Sequence, residues 1–134
     1  TRRSSDLEIR GEKKVEAALI AGSILARNKA TQYAAFDYWQ AVLDGCPPRS
    51  FPWYLASLMM GTVSPSTVEN YLETHPDNEQ QVFGFYLLGL QYQRAGQLDQ
   101  AHRAFSKSLR PDPSDLSPLF TAGKHWAEEA LSDL

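Results

Sequence analysis

Residues with reactive or metal-binding side chains are few in this sequence and widely spaced. The three histidines, His75, His102 and His125, are far apart along the chain, which argues against a shared metal site. The single cysteine, Cys46, is distant from every histidine, so a nucleophile and a base would meet only through folding. We therefore expect a chain that is not an enzyme and that holds neither a metal ion nor a cofactor.

Two other patterns that often carry chemistry have simpler interpretations here. Gly84, Gly89 and Gly96 lack the preceding strand and the Lys-Ser/Thr ending of a phosphate-binding loop. Glu128 and Glu129 are adjacent, so on a helix their carboxylates point to different sides. We interpret the glycines as structural and the glutamates as solvated charges.

Composition limits the class of partner and the compartment. The 134 residues carry a net charge of -3 with scattered basic residues, so we expect neither nucleic acid nor an anionic membrane surface as a partner. No apolar stretch approaches the roughly 18 residues that span a bilayer. The single cysteine favours a reducing compartment such as the cytoplasm. A periplasmic location stays open if a signal peptide was removed.

Glycine and proline divide the chain into short segments whose apolar residues have helical spacing. Val82, Phe85, Leu88 and Tyr92 form one such stripe, and β-branched residues are scarce. This pattern predicts helices throughout residues 15–134. Residues 1–14 are polar and charged, and we interpret them as an N-terminal tail or a lead-in to the first helix.

One segment has a pattern that is diagnostic beyond its helical spacing. When the residues are counted from Val82, large apolar, glycine, alanine and proline residues recur at fixed positions. They are Phe85 (position 4), Leu88 (7), Gly89 (8), Tyr92 (11), Gly96 (15), Ala101 (20), Phe105 (24), Ser108 (27) and Pro113 (32). This segment resembles the tetratricopeptide repeat, and only Ser108 departs, where the family has alanine. The resemblance implies two antiparallel helices that cross closely at Gly89 and Ala101.

Spacing then extends the repeat in both directions. Gly89 and Gly123 are separated by one full period of about 34 residues, and Gly22 precedes Gly89 by two periods less one position. Ala34 and Ala101 have this second separation too, as do Tyr38 and Phe105, so Ala34, Tyr38 and Ala41 are in register with the repeat. The resemblance then implies that Ala34 lies where the two helices of the hairpin cross and that Tyr38 packs between neighbouring hairpins. The predicted repeats are 15–48, 49–81 and 82–115, followed by a capping helix at 116–134.

The middle repeat is degenerate, but it contains a clear helix start. Ser64 followed by Pro65 is typical of an N-cap and the first helical residue. With this repeat included, the resemblance implies an all-α fold. It is a right-handed α-solenoid of about three tetratricopeptide-like helical hairpins plus a C-terminal capping helix.

The resemblance also implies a binding site, because ligands of this family usually lie in the concave groove formed by the first helices of the repeats. Transferring the family's groove positions gives a mostly apolar line of residues. It consists of Leu19, Phe51, Tyr54, Leu58, Phe83, Tyr86, Leu90, Phe120 and Lys124. The first helix of the third repeat is apolar nearly all round, so something must cover it.

Two interpretations of this groove stay open. In the first, it binds an apolar peptide or an amphipathic helix of a partner, and the chain acts as an adaptor, scaffold or chaperone. Then Phe83→Ala or Tyr86→Ala abolishes partner capture with little loss of thermal stability. In the second, the chain is a self-assembly or structural module whose groove is covered by its own chain or by a second copy in a homodimer.

One subclass of partner is disfavoured. Family members that clamp acidic C-terminal tails use lysine, asparagine and arginine at positions that are Leu19, Ser23, Phe83 and Leu87 here. The expected partner is therefore apolar rather than of the acidic-tail type.

Overall fold

A computed structural model describes residues 4–75, 77–111 and 117–134, and their side chains from residue 14 onward. In these ranges the chain is all-helical and has no strand, as predicted. The helices are α1 (Ser4–Ala26), α2 (Ala35–Gly45), α3 (Phe51–Met60), α4 (Pro65–Thr74), α5 (Asn78–Arg94), α6 (Leu98–Ser108) and α7 (Pro118–Asp133), with a 3₁₀ helix at Gln32–Ala34. Much of the predicted tail or lead-in thus belongs to α1. The predicted repeat position Pro113 lies outside the described residues.

The chain forms two compact units, one up to Met60 and one from Gly61 onward. In the first unit, α2 packs against α1 and α3. In the second unit, α5 packs against α4, α6 and α7, and α6 also contacts α7. No helix in the described ranges is long and apolar enough to cross a membrane.

Three helices of the second unit begin at side-chain caps that the local sequence specifies. The Ser64 hydroxyl accepts a hydrogen bond from the Thr67 N–H, and Pro65 is the first helical residue, so this predicted helix start is confirmed. Asp77 caps α5 and Ser117 caps α7 in the same way. Each cap satisfies an N–H that the first turn leaves without a helical partner.

Helix α5 is the core of the second unit. Every residue from Val82 to Leu90 is buried, so all faces of this helix are covered. The expectation that an all-round apolar helix needs cover is therefore confirmed.

Small residues allow the neighbouring helices to come close to α5. A Cβ at Gly84 would lie 2.6 Å from Cδ2 of Leu72 in α4, and a Cβ at Gly89 would lie 2.5 Å from Cε1 of Phe105 in α6. At the third contact, a Cβ on Gly123 of α7 would lie 3.1 Å from the Phe83 Cα. These contacts fix how α4, α6 and α7 sit on α5.

The α1–α2 hairpin has a glycine–aromatic contact like that of Gly89 and Phe105 between α5 and α6. The aromatic residue in it is Trp39 and not the predicted Tyr38. Gly22 faces the indole of Trp39, and the buried residues of α2 are Ala35, Trp39 and Val42. The predicted inward residues Ala34, Tyr38 and Ala41 are exposed, so that register was wrong by one.

The cause of the register error is the turn before α2. The separation from Trp39 to Phe105 is one position shorter than the separation from Gly22 to Gly89. The turn at 27–34 includes the 3₁₀ helix, and it is held by the Asn28 side chain, which accepts from the Ala30 N–H. It is longer than the 95–97 turn, where Gly96 has a positive φ of 78°.

A charged bridge joins α4 to α6 beside α5. Lys107 Nζ donates to Glu69 at 2.9 Å and to Glu73 at 2.7 Å. These hydrogen bonds raise the pKa of Lys107, so its ammonium stays charged at neutral pH. Because all three side chains are partly exposed, the bridge mainly sets the position of α4 rather than adding much stability.

Replacing Gly89 by alanine is expected to destabilise the second unit. The added methyl group would overlap the Phe105 ring, and overpacking of this kind costs about 1–3 kcal/mol. Alanine recovers at most about 1 kcal/mol through its helix propensity. Thermal denaturation of the full chain should show a lower Tm, and Phe105→Leu in the same chain should restore part of the loss. An unchanged or higher Tm for Gly89→Ala would contradict the close contact.

Candidate protein-interaction surface

Most side chains of the predicted groove are buried in the protein. Seven of the nine are buried, and Tyr54 and Lys124 are half-buried. The buried seven are Leu19, Phe51, Leu58, Phe83, Tyr86, Leu90 and Phe120.

For two of these residues, the contacts that cover them are aromatic. The Phe83 ring lies 6.3 Å from the Trp126 ring of α7, measured between centroids. The Tyr86 ring lies 5.6 Å from Trp126 and 5.8 Å from Phe105 of α6. Tilted ring pairs at these distances are favourable core contacts. A partner-binding role for Phe83 and Tyr86 stays a prediction, and it requires α7 to move aside.

Cys46, His75 and His125 each have a local partner in the described part of the chain. Cys46 is partly buried, and burial raises the pKa of its thiol despite a hydrogen bond with Ser50, so the thiolate is disfavoured at neutral pH. The His75 ring stacks on Tyr71 at 4.1 Å, and its Nδ1 lies 2.8 Å from the Tyr71 carbonyl oxygen, where it is placed to donate. His125 pairs with Glu129 across one helical turn at 3.4 Å. Among the described residues, no three His, Cys, Asp or Glu side chains are grouped to hold a metal ion.

Exposed large apolar side chains are concentrated on the α1–α2 hairpin. Tyr33 is 74% exposed, Ile24 52%, Tyr38 40% and Phe36 38%. The Tyr33 and Phe36 rings stack with centroids 6.4 Å apart. In the second unit the comparable side chains are Leu98 and Leu134, which are far apart in sequence. The α1–α2 hairpin is therefore the richest apolar surface in the described part of the chain.

The sequence contains a pattern that indicates this surface, although the sequence analysis did not use it. Residues 33–39 include four aromatic side chains, Tyr33, Phe36, Tyr38 and Trp39. One face of a helix does not hold all four, because these positions point in different directions. Only Trp39 is buried, and the other three are exposed.

Helix α1 adds apolar surface beside these rings. From Val15 to Ala26, its only polar side chains are Glu16 and Ser23. Ser23 is buried, and its hydroxyl donates to the Leu19 carbonyl oxygen at 2.7 Å. On the opposite side, Ala17 and Ile24 are exposed. Thus residues 15–26 of α1 are apolar nearly all round, like α5, but one face of this part is uncovered.

Comparison of the chain with protein-family models, curated proteins and solved structures finds no match.

Truncating Tyr86 is expected to destabilise the fold, in contrast to the sequence-based expectation of little change. Tyr86→Ala removes a buried ring from its contacts with Trp126 and Phe105, at a cost of about 3 kcal/mol. Tyr54→Ala is the matched control, because Tyr54 is a predicted groove tyrosine that is only half-buried. Chemical denaturation should show the larger loss of unfolding free energy for Tyr86→Ala. Equal losses, or a loss only for Tyr54→Ala, would contradict the burial.

Proposed function

We propose that this chain is a non-enzymatic protein-interaction module of the tetratricopeptide type. In this proposal its helical hairpins stack as a right-handed α-solenoid, and it serves as an adaptor, scaffold or chaperone. The repeated helix-crossing contact supports the repeat assignment, since Gly22 meets Trp39 in one hairpin as Gly89 meets Phe105 in another. The spacing of the helices along the chain supports it as well.

The observation that carries the interaction role is the exposed apolar surface of the α1–α2 hairpin. Ile24, Tyr33, Phe36 and Tyr38 are close together in the sequence, and each exposes more than a third of its surface. Exposed apolar side chains that lie together, as the stacked rings of Tyr33 and Phe36 do, are typical of protein-binding sites, and aromatic side chains are enriched there. Removing this surface from water favours association with a partner.

An apolar partner fits this chain better than an acidic tail. The positions that hold the clamp residues in tail-binding family members are Leu19, Ser23, Phe83 and Leu87, and all four are buried. None of them offers a cation to a carboxylate. The proposed partner therefore presents apolar side chains, as a peptide segment or as one face of an amphipathic helix.

A fourfold serine variant tests the interaction role. Ile24, Tyr33, Phe36 and Tyr38 are each changed to serine, and Leu98→Ser/Leu134→Ser is the matched control for exposed apolar residues in the second unit. Both variants should stay folded by circular dichroism, because the substituted side chains are exposed. Affinity capture from source lysate should yield a protein that the parent and the control retain and that the fourfold variant loses.

Two outcomes contradict the proposal. If every captured protein is retained by the fourfold variant, the surface is not a binding site. If sedimentation shows that the parent is a dimer and the fourfold variant a monomer, and no partner is captured, the surface pairs two copies. The self-assembly interpretation then replaces the adaptor.

A further inference from the structure

One face of the α1–α2 hairpin corresponds to a face of the α5–α6 hairpin that another helix covers. On the α5–α6 hairpin, α4 occupies this face. Leu72 of α4 packs on Gly84 of α5, and Gln81 Nε2 donates to the Leu72 carbonyl oxygen at 3.1 Å. On the α6 side, Lys107 pairs with the two glutamates of α4.

The two hairpins can be matched residue by residue. The glycine contact aligns Gly22 of α1 with Gly89 of α5, and the buried rings align Trp39 of α2 with Phe105 of α6. Gln81, Gly84 and Lys107 contact α4, and helical spacing puts Leu88 and Ala104 on the same sides of α5 and α6. These five residues have counterparts on the first hairpin. Gln81, Gly84 and Leu88 correspond to Lys14, Ala17 and Ala21, and Ala104 and Lys107 correspond to Tyr38 and Ala41.

This matched face is largely uncovered. Lys14, Ala17, Tyr38 and Ala41 are exposed, and Ala21 is half-buried. Their counterparts Gly84, Leu88 and Ala104 are buried. In helical-repeat proteins, an end that faces solvent has a polar outer surface. Here four of the five residues are alanine or tyrosine, which is a surface suited to being covered.

We infer that this face binds an amphipathic α-helix of a partner protein, seated against α1 and α2 as α4 is seated against α5 and α6. The inference rests on the proposed function and names the class of partner. A second copy of the chain fits less well. Its α4 is already packed on its own α5, and antiparallel pairing of two α1 helices about Ile20 and Ala21 would oppose Lys14 and Arg27, which are like charges.

The differences between the two faces define the partner helix. Ala17 replaces Gly84, and a Cβ at Gly84 would overlap Leu72, so the partner needs a residue smaller than leucine at the matching position. Ala41 replaces Lys107, so acidic residues like Glu69 and Glu73 would have no cation to pair with, and neutral residues are expected there.

Among the five matched residues of this face, Lys14 is the polar anchor. Its counterpart Gln81 donates to a carbonyl in the last turn of α4. A lysine ammonium at this position is placed to interact with the C-terminal carbonyls of the bound helix, where the helix dipole favours a cation. The partner helix therefore ends near Lys14, with small aliphatic residues along the stripe that faces α1.

A pair of helical peptides tests this fit. Both copy residues 63–75 with Glu69→Gln and Glu73→Gln and carry a hydrocarbon staple between positions 66 and 70, which are exposed on α4. One peptide also has Leu72→Ala, and the other keeps leucine. Binding to the full chain is measured by fluorescence anisotropy of labelled peptide. The alanine peptide should bind saturably, and the leucine peptide roughly tenfold more weakly because of overlap with Ala17.

Variants of the chain assign the site. Ala17→Gly should restore binding of the leucine peptide, and Ala17→Glu should weaken the alanine peptide by roughly tenfold or more. Ala95→Glu, at an exposed alanine of the second unit, is the matched control and should bind as the parent does. No saturable binding of either peptide, or equal binding by the Ala17→Glu variant, overturns the inference.

Failure of the inference and failure of the proposed function give different results. If a captured partner is lost by the fourfold serine variant but retained by Ala17→Glu, the interaction role stands and the helix-binding face is wrong. If no protein depends on either change and the peptides do not bind, both are wrong.

Discussion

Burial of α5 is the constraint on which the second unit depends. A helix that is apolar on every side from Val82 to Leu90 is stable in water only when neighbours cover all of its faces. Three neighbours, α4, α6 and α7, pack around it. Glycines at the contacts let these helices approach closely, and the Ser108 hydroxyl adds a hydrogen bond to the Val82 carbonyl oxygen at 2.5 Å.

This constraint also explains why the residues predicted for a groove on α5 lie in the core. Phe83 and Tyr86 occupy positions that line an open groove in the family that the sequence resembles. Here Trp126 of α7 and Phe105 of α6 lie against them. The uncovered apolar segment is residues 15–26 of α1, which resemble α5 in pattern but expose Ala17 and Ile24. This contrast moves the proposed interaction surface from the groove to the α1–α2 hairpin.

The sequence predicted the local features of the fold well. Helical spacing, the Ser64 cap and the need to cover α5 were all readable, because each depends on a few neighbouring residues. The assignment of Tyr38 to the core failed, because spacing arithmetic assumed a constant turn length. With the longer turn at 27–34, Trp39 follows Gly22 by one position more than Phe105 follows Gly89, and one residue on a helix rotates the inward face by about 100°.

Burial of the predicted groove residues could not be foreseen for a different reason. A groove position transferred from a repeat pattern says on which side of its own hairpin a side chain lies. It does not say whether a later helix packs over that side chain. The position of α7 on Phe83 depends on Gly123, whose small size matters only in three dimensions. The exposed aromatic residues of the first hairpin could have been recognised, since Tyr33, Phe36, Tyr38 and Trp39 cannot share one face.

The most direct test of this account measures which side chains solvent reaches in the free protein. Methyl groups of the full chain are observed by NMR with a soluble nitroxide added, which broadens the signals of exposed groups. We expect strong broadening for Ala17, Ile24 and Ala41, and protection for Leu19, Leu58 and Leu90. Broadening of these three leucines together with protected Ala17 and Ile24 would contradict it and return the binding surface to the predicted groove.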